Sequence, residues 1–339
     1  MRWIRFVFLI IILGLLIYLL TSVDLKEIYN ALNQVDGFYF FLASVSYLAT
    51  FFIFAWRNFY FFGRLFKSGY WFLLESVFSG FFVNTITPGA QVGSEPVKAY
   101  LFKVKYKKPI SKTFGVILAD KIMHVFVLSF FIIFSIIYII TFIPLPDEFM
   151  LVLQALLFLF FLVFAVIFTL KMRKTKRSLI YAFEKSKWLS WLNPFKNNPR
   201  LQKTIEKGIK SFTKTFWETF KDKKIFILGI VFSLIYWFLN YFVSYFLFLS
   251  LGIKINFLLV VVVFSLVNFS SLFFPTPGGA GFIEGLMVFL YSLVGVNFTA
   301  ALVVSLLTRA IFYFYSIVIG GISFIHLEGS LKYNYPKNY

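Results

Sequence analysis

Cysteine is absent from the chain, and histidine occurs only as His124 and His326. The first absence excludes disulfides, thiolate chemistry and a lipid-modified cysteine; the second excludes a histidine-rich metal site. Charge is also scarce. Charged residues make up 14% of the chain, against roughly 25% in soluble domains. Acids are scarcer than bases, 14 against 33. There is no nucleotide-binding glycine loop and no Asp-x-Asp metal pair. The expectation is therefore a protein that is not an enzyme and carries no cofactor and no metal.

What fills the chain instead is apolar. Hydrophobic residues make up 60% and aromatic residues 23%, with 51 phenylalanines. Crossing a hydrocarbon core of about 30 Å takes roughly 20 apolar residues. Runs suited to this lie at Phe6–Leu20, Phe38–Phe62, Thr113–Ile143, Phe149–Leu170, Ile225–Ser250 and Ala300–Ile325. T-S-V-D, not a small-x-small cleavage site, follows the first run, which therefore reads as an uncleaved anchor. Two further stretches, Tyr70–Phe102 and Phe257–Val294, are interrupted near their middles by Pro and Gly.

The basic residues test this layout through their bias towards cytoplasmic segments. Six lysines and no acid lie between Lys98 and Lys112, and sixteen bases with four acids between Lys171 and Lys224. Asp24, Asp36, Asp147 and Glu148 fall in segments of the opposite side. Both termini are then cytoplasmic, provided each interrupted stretch enters and leaves on one face. The expected fold is all-α and polytopic, with six full spans plus two re-entrant broken-helix hairpins. The net charge of +19 follows from this topology, so no nucleic acid is expected.

The two interruptions are alike. T-P-G-A-Q-V-G-S-E runs from Thr87 to Glu95, and T-P-G-G-A-G-F-I-E from Thr276 to Glu284. A cation follows on the next span at nearly the same distance, Lys121 in one case and Arg309 in the other. Each half then reads span, span, hairpin, span, which forces the halves into opposite orientations, the inverted repeat of many transporters. The first repeat is placed at 1–148, with its hairpin at about 70–103. The second is placed at 149–339, with its hairpin at about 257–294 and a basic insertion at 171–224.

Ionisable groups at membrane depth are costly and functional by default. Glu75, Glu95, Asp120, Lys121, Glu284 and Arg309 are such groups, with Arg57 near the cytoplasmic edge. Gly93 and Gly281 are placed to start helices whose free N–H groups bind anions. Glu284, three residues after Gly281, is placed to cap its helix. Pro88, Gly89, Pro277, Gly278 and Gly279 form the two elbows. Glu95–Lys121 and Glu284–Arg309 read either as internal ion pairs or as pairs that also meet substrate. His124 reads as a packed, hydrogen-bonded side chain, and Glu75 and Arg57 as a pair at the cytoplasmic edge. Leu201, Ile205, Ile209, Phe212, Phe216 and Phe220 form one helical stripe with lysines off it. That helix either lies on the inner leaflet, with Trp188 and Trp191 at the interface, or packs on the protein's own cytoplasmic face.

The motifs N-T-I-T-P-G-A-Q-V-G-S-E and P-T-P-G-G-A-G-F-I-E, with Gly295-Val296 and Arg309 following, resemble the flippase-like transmembrane region of the lysylphosphatidylglycerol synthase family. The resemblance covers nearly the whole chain and adds Asn84, the first residue of its motif, to the candidate site. It departs at Ala90, where the family often has Arg, and at Ser94, which intervenes before Glu95. Asp120-Lys121-Ile122-Met123-His124 keeps acid then base but not the last acid. Neither the family's aminoacyl-transferase domain nor a fused glycosyltransferase is expected. The resemblance implies transport of an anionic phospholipid or lipid-linked glycan across the cell membrane, with anionic head groups as partners. The alternatives are a membrane-embedded lipid-carrier transferase, or a non-catalytic subunit docked on a lipid-modifying enzyme.

Overall fold

The computed structural model describes residues 25–63, 67–87, 93–143, 199–271 and 277–334. The expected spans at Phe6–Leu20 and Phe149–Leu170, together with Pro88, Gly89, Trp188 and Trp191, lie outside these residues. The described residues are helical throughout, with no strand among them. In chain order the helices are α1 Leu25–Asn33, α2 Gly37–Phe62, α3 Tyr70–Ile86, α4 Ser94–Tyr106, α5 Ile110–Phe142 and α6 Pro199–Lys221. They continue with α7 Lys223–Ser250, α8 Phe257–Ser271, α9 Phe282–Leu293, α10 Phe298–Tyr313 and α11 Gly320–Asn334. A six-residue π segment, Phe314–Ile319, joins α10 to α11.

Four continuous helices are long and apolar enough to cross a membrane: Gly37–Phe62, Ile110–Phe142, Lys223–Ser250 and Phe298–Ser330. They match four of the runs read from sequence. Their surfaces show an apolar exterior. On α5, Phe126, Phe130 and Ile137 are exposed while Thr113, Asp120 and Ser135 are buried. Large exposed apolar side chains on a helix whose polar groups turn inward suit a lipid surround.

The interrupted stretches are two helix–turn–helix hairpins, α3–α4 and α8–α9. The helices of each hairpin pack on each other. At 1.5 Å per residue, the longest of these four helices, α3 with 17 residues, reaches only about 25 Å, short of a full crossing. Between hairpins the packing is reciprocal. Helix α3 packs on the π segment and α11, which continue α10, while α8 packs on α5. Helices α2 and α7 pack along each other.

Helix α6 packs on α5 through Thr215 and Thr219, both buried. Gly115 allows this close approach, because a Cβ there would lie 2.8 Å from the Phe212 carbonyl oxygen. The helix therefore packs on the protein itself, with Phe220 of its stripe against the apolar core. Lys207, Lys210, Lys214 and Lys221 stay exposed.

Candidate functional site

The glycine turn of the second hairpin meets the end of α3. Gly278 in the second tip sits beside Thr85 at the end of α3, where a Cβ on Gly278 would lie 3.6 Å from the Thr85 carbonyl oxygen. The glycines of this tip supply backbone that other residues rarely adopt: Gly278, Gly279 and Gly281 have φ of 59°, 72° and 80°. Positive φ at Gly278 and Gly279 turns their carbonyls towards α10. Arg309 there donates from Nη1 to Gly278 O at 3.1 Å and from Nη2 to Gly279 O at 3.2 Å. Its Nε meets Glu284 Oε1 at 2.7 Å, and both residues are buried. Glu284 makes no cap to its own helix. The expected cap is corrected: Arg309 claims this carboxylate because a buried guanidinium needs a counter-charge.

The first tip has a matching pair in a wetter setting. Lys121 Nζ donates to Glu95 Oε1 at 2.7 Å, and the side chains retain 36% and 15% of their exposure. Gly93 precedes α4, as the sequence implied for a helix start, but the first N–H is not free. Ser94 N donates to Asn84 Oδ1 at 2.8 Å. One of the N–H groups expected to be free there is therefore occupied from within.

Asp120 is held by a residue that sequence reasoning placed elsewhere. Arg57 reaches it twice, Nε to Oδ1 at 2.7 Å and Nη2 to Oδ2 at 3.0 Å. Arg57 Nη1 lies 2.9 Å from His124 Nδ1 and 3.0 Å from Ser233 Oγ. A guanidinium only donates, so His124 Nδ1 accepts and the ring proton sits on Nε2. His124 also stacks on Trp237, with centroids 5.1 Å apart, the packed side chain that was expected. The cluster fastens α2, α5 and α7 together. Arg57 is 1% exposed and does not pair with Glu75, which instead meets His326 Nδ1 at 3.2 Å.

Two groups escaped the sequence reading. Lys98, read there as one of six lysines of a cytoplasmic segment, is buried on α4, its Nζ lying 4.5 Å from the centre of the Phe54 ring. It has no hydrogen bond or ion pair among the described residues. The other is a cavity of about 110 Å³ where the second hairpin's turn meets the end of α3. It is lined by Asn84 from the first hairpin, Gly278, Gly279 and Asn268 from the second, Asn240 from α7 and Arg309 from α10. Lone asparagines within apolar runs gave no periodic signal. Asp120, Lys121, Glu95, Gly93, Gly281 and Glu284 are not among the lining residues.

The model of one family, the lysylphosphatidylglycerol synthase transmembrane region, matches residues 3–320. The chain belongs to this family. Its relatives include a UPF0104 membrane protein of Pyrococcus horikoshii, 27% identical over 322 residues that cover 93% of this chain and 95% of the relative. A UPF0104 membrane protein of Methanothermobacter thermautotrophicus is 25% identical over 260 residues, 76% of this chain and 75% of the relative. One of Methanocaldococcus jannaschii is 23% identical over 256 residues, 74% and 73% of the two chains. The chain is thus an integral membrane protein of the lysylphosphatidylglycerol synthase transmembrane family.

Proposed function

We propose that this membrane protein moves an amphipathic lipid, an anionic phospholipid or a lipid-linked glycan, between leaflets. The observation that carries the reading is the second hairpin's glycine turn meeting the end of α3 at a cavity with apolar walls and a few polar groups, bordered by α2, α7, α8 and α10. Broken helices that meet near the bilayer midplane form the substrate sites of inverted-repeat transporters. Irregular backbone at membrane depth persists only where it faces protein or a wet cavity. The reciprocal packing of α3 on the segments after α10, and of α8 on α5, supports a pseudo-twofold relation between halves. In this reading the hairpins re-enter from opposite faces, the first from the cytoplasm. Both termini are cytoplasmic.

The physical need is plain. A polar head group forced through hydrocarbon loses its hydrogen bonds at several kcal/mol each, and a cavity with fixed partners lowers that barrier. Glu284–Arg309 and Glu95–Lys121 each tie a hairpin to the following span, so that rocking the halves carries each tip with its span.

The test is reconstitution in liposomes with head-group-labelled anionic, zwitterionic and glycosylated lipids, followed by an impermeant quencher. The wild type is expected to expose inner-leaflet label faster than protein-free vesicles, with Glu284→Gln and Arg309→Ala slowed at least tenfold. Wild-type rates equal to those of empty vesicles for all three lipid classes would contradict the reading.

A further inference from the structure

The cavity's polar groups are not those of an anion site. Among the described residues Arg309 is the lone cation lining it, and its fork is already committed to Glu284 and to two backbone carbonyls. A phosphate entering there would have to displace a buried carboxylate from its guanidinium, an exchange that strands a charge. The remaining polar lining is uncharged: three asparagine amides and the hydroxyls of Tyr47, Tyr236, Ser271 and Thr308, of which Ser271 and Thr308 donate to their own helix backbones. Each of the three asparagines has half of its amide held by the protein. Asn240 Nδ2 donates to Tyr236 O at 2.8 Å, and Asn268 Nδ2 to Phe264 O at 2.9 Å. Asn84 Oδ1 accepts from Ser94 N at 2.8 Å. The Asn240 amide also lies in hydrogen-bonding range of the Tyr236 hydroxyl, while Oδ1 of Asn268 and Nδ2 of Asn84 have no partner among the described residues.

A fixed acceptor on Asn268, a fixed donor on Asn84 and the Asn240–Tyr236 amide–hydroxyl pair match hydroxyl groups, which both donate and accept. Phosphate oxygens at neutral pH mainly accept. Around these amides stand aromatic walls from Tyr47, Tyr236 and Phe312. Apolar walls with a few convergent polar groups are the usual form of a small-molecule site. A sugar ring presents that combination from its own side, an apolar C–H face with a rim of hydroxyls.

We infer that the cavity is a sugar site, taking the neutral glycosyl part of a lipid head group, with Asn84, Asn240 and Asn268 as its hydroxyl partners. The inference rests on the transport reading only for how the head group arrives; binding itself is separable from movement.

The test measures binding to the full chain in detergent, by native mass spectrometry, of monoglucosyl diacylglycerol and of phosphatidic acid with the same acyl chains. The glycolipid is expected to bind at least tenfold more tightly. Asn240→Leu and Asn268→Leu, near-isosteric changes, are each expected to weaken glycolipid binding about tenfold and leave phosphatidic acid unchanged. Their unfolding midpoints are followed in parallel to confirm that they fold. Equal or tighter binding of phosphatidic acid by the wild type overturns the inference without any variant, as does wild-type glycolipid affinity in both folded variants. Displacement of the glycolipid by an equal concentration of methyl glucoside would make free sugar the ligand and overturn the lipid assignment. Glycolipid bound but never flipped in the liposome assay would sink the transport reading and spare the site; phosphatidic acid bound and flipped would do the reverse.

Discussion

The two hairpins carry the same motif with different electrostatics. At the second tip, Glu284 and Arg309 are 8% and 7% exposed, and the guanidinium also braces two carbonyls of a glycine turn. At the first tip, Lys121 keeps 36% of its side-chain exposure, while two more cations, Arg57 and Lys98, are buried nearby. Asp120 neutralises Arg57 and Glu95 neutralises Lys121, leaving Lys98 with no ion-pair partner among the described residues. One hairpin is a closed, charge-balanced clamp; the other is wetter and carries a surplus positive charge. Sequence spacing alone made them look equivalent. The difference teaches that a repeated motif fixes which residues pair, whereas burial sets what a pair is worth.

Breaking the clamp should have the largest effect. Arg309→Ala leaves Glu284 buried without a counter-charge, and removing one partner of a buried pair costs about 3–5 kcal/mol. Denaturant unfolding in detergent should show a loss of that order; a loss below about 1 kcal/mol would mean that water reaches the pair. Next comes Gly279→Ala. It combines a left-handed backbone, strained by about 1–2 kcal/mol for an L side chain, with a Cβ only 2.5 Å from Ile283 Cδ1. Here the same unfolding assay should report a loss of about 2 kcal/mol or more, unless Ile283 swings clear.

The corresponding change at the first tip should be mild. Glu95→Gln or Lys121→Ala breaks a partly exposed pair worth about 0.2–1 kcal/mol. Its contribution should shrink further between low salt and about 1 M salt, a dependence that Glu284→Gln should not share. If Glu95→Gln proved as damaging as Arg309→Ala, the contrast between the hairpins would vanish. The smallest effect is expected from Lys98→Met, which removes an unpaired buried cation and keeps its apolar stem. Thermal unfolding of this variant should show no loss of stability. A large loss would point to a partner for Lys98 beyond the described residues.

Four of the expected spans and the break between each pair of shorter helices could be read in the sequence because a bilayer imposes length, and Pro and Gly mark where a helix must stop. The Glu95–Lys121 and Glu284–Arg309 pairs could be read because the same spacing occurs twice. Arg57–Asp120 could not. It joins helices 63 positions apart, and no local period states which faces of two apolar helices will meet. Lys98 was hidden in a lysine run whose other members suit a cytoplasmic surface. The sugar-matched cavity was hidden because one asparagine in an apolar helix looks the same whether it closes on its own backbone or faces a ligand. Nor did the motif announce that Glu284 would serve Arg309 in preference to its own helix end. That choice depends on the burial of the cation.

Because the chain contains no cysteine, its topology can be probed one position at a time. Gln91→Cys and Ala280→Cys place a thiol in the first and second tips, and a membrane-impermeant maleimide is applied to sealed vesicles of known orientation. The account predicts that the Gln91→Cys thiol reacts only from the cytoplasmic side and the Ala280→Cys thiol only from the opposite side. Labelling of both from the same side would contradict it.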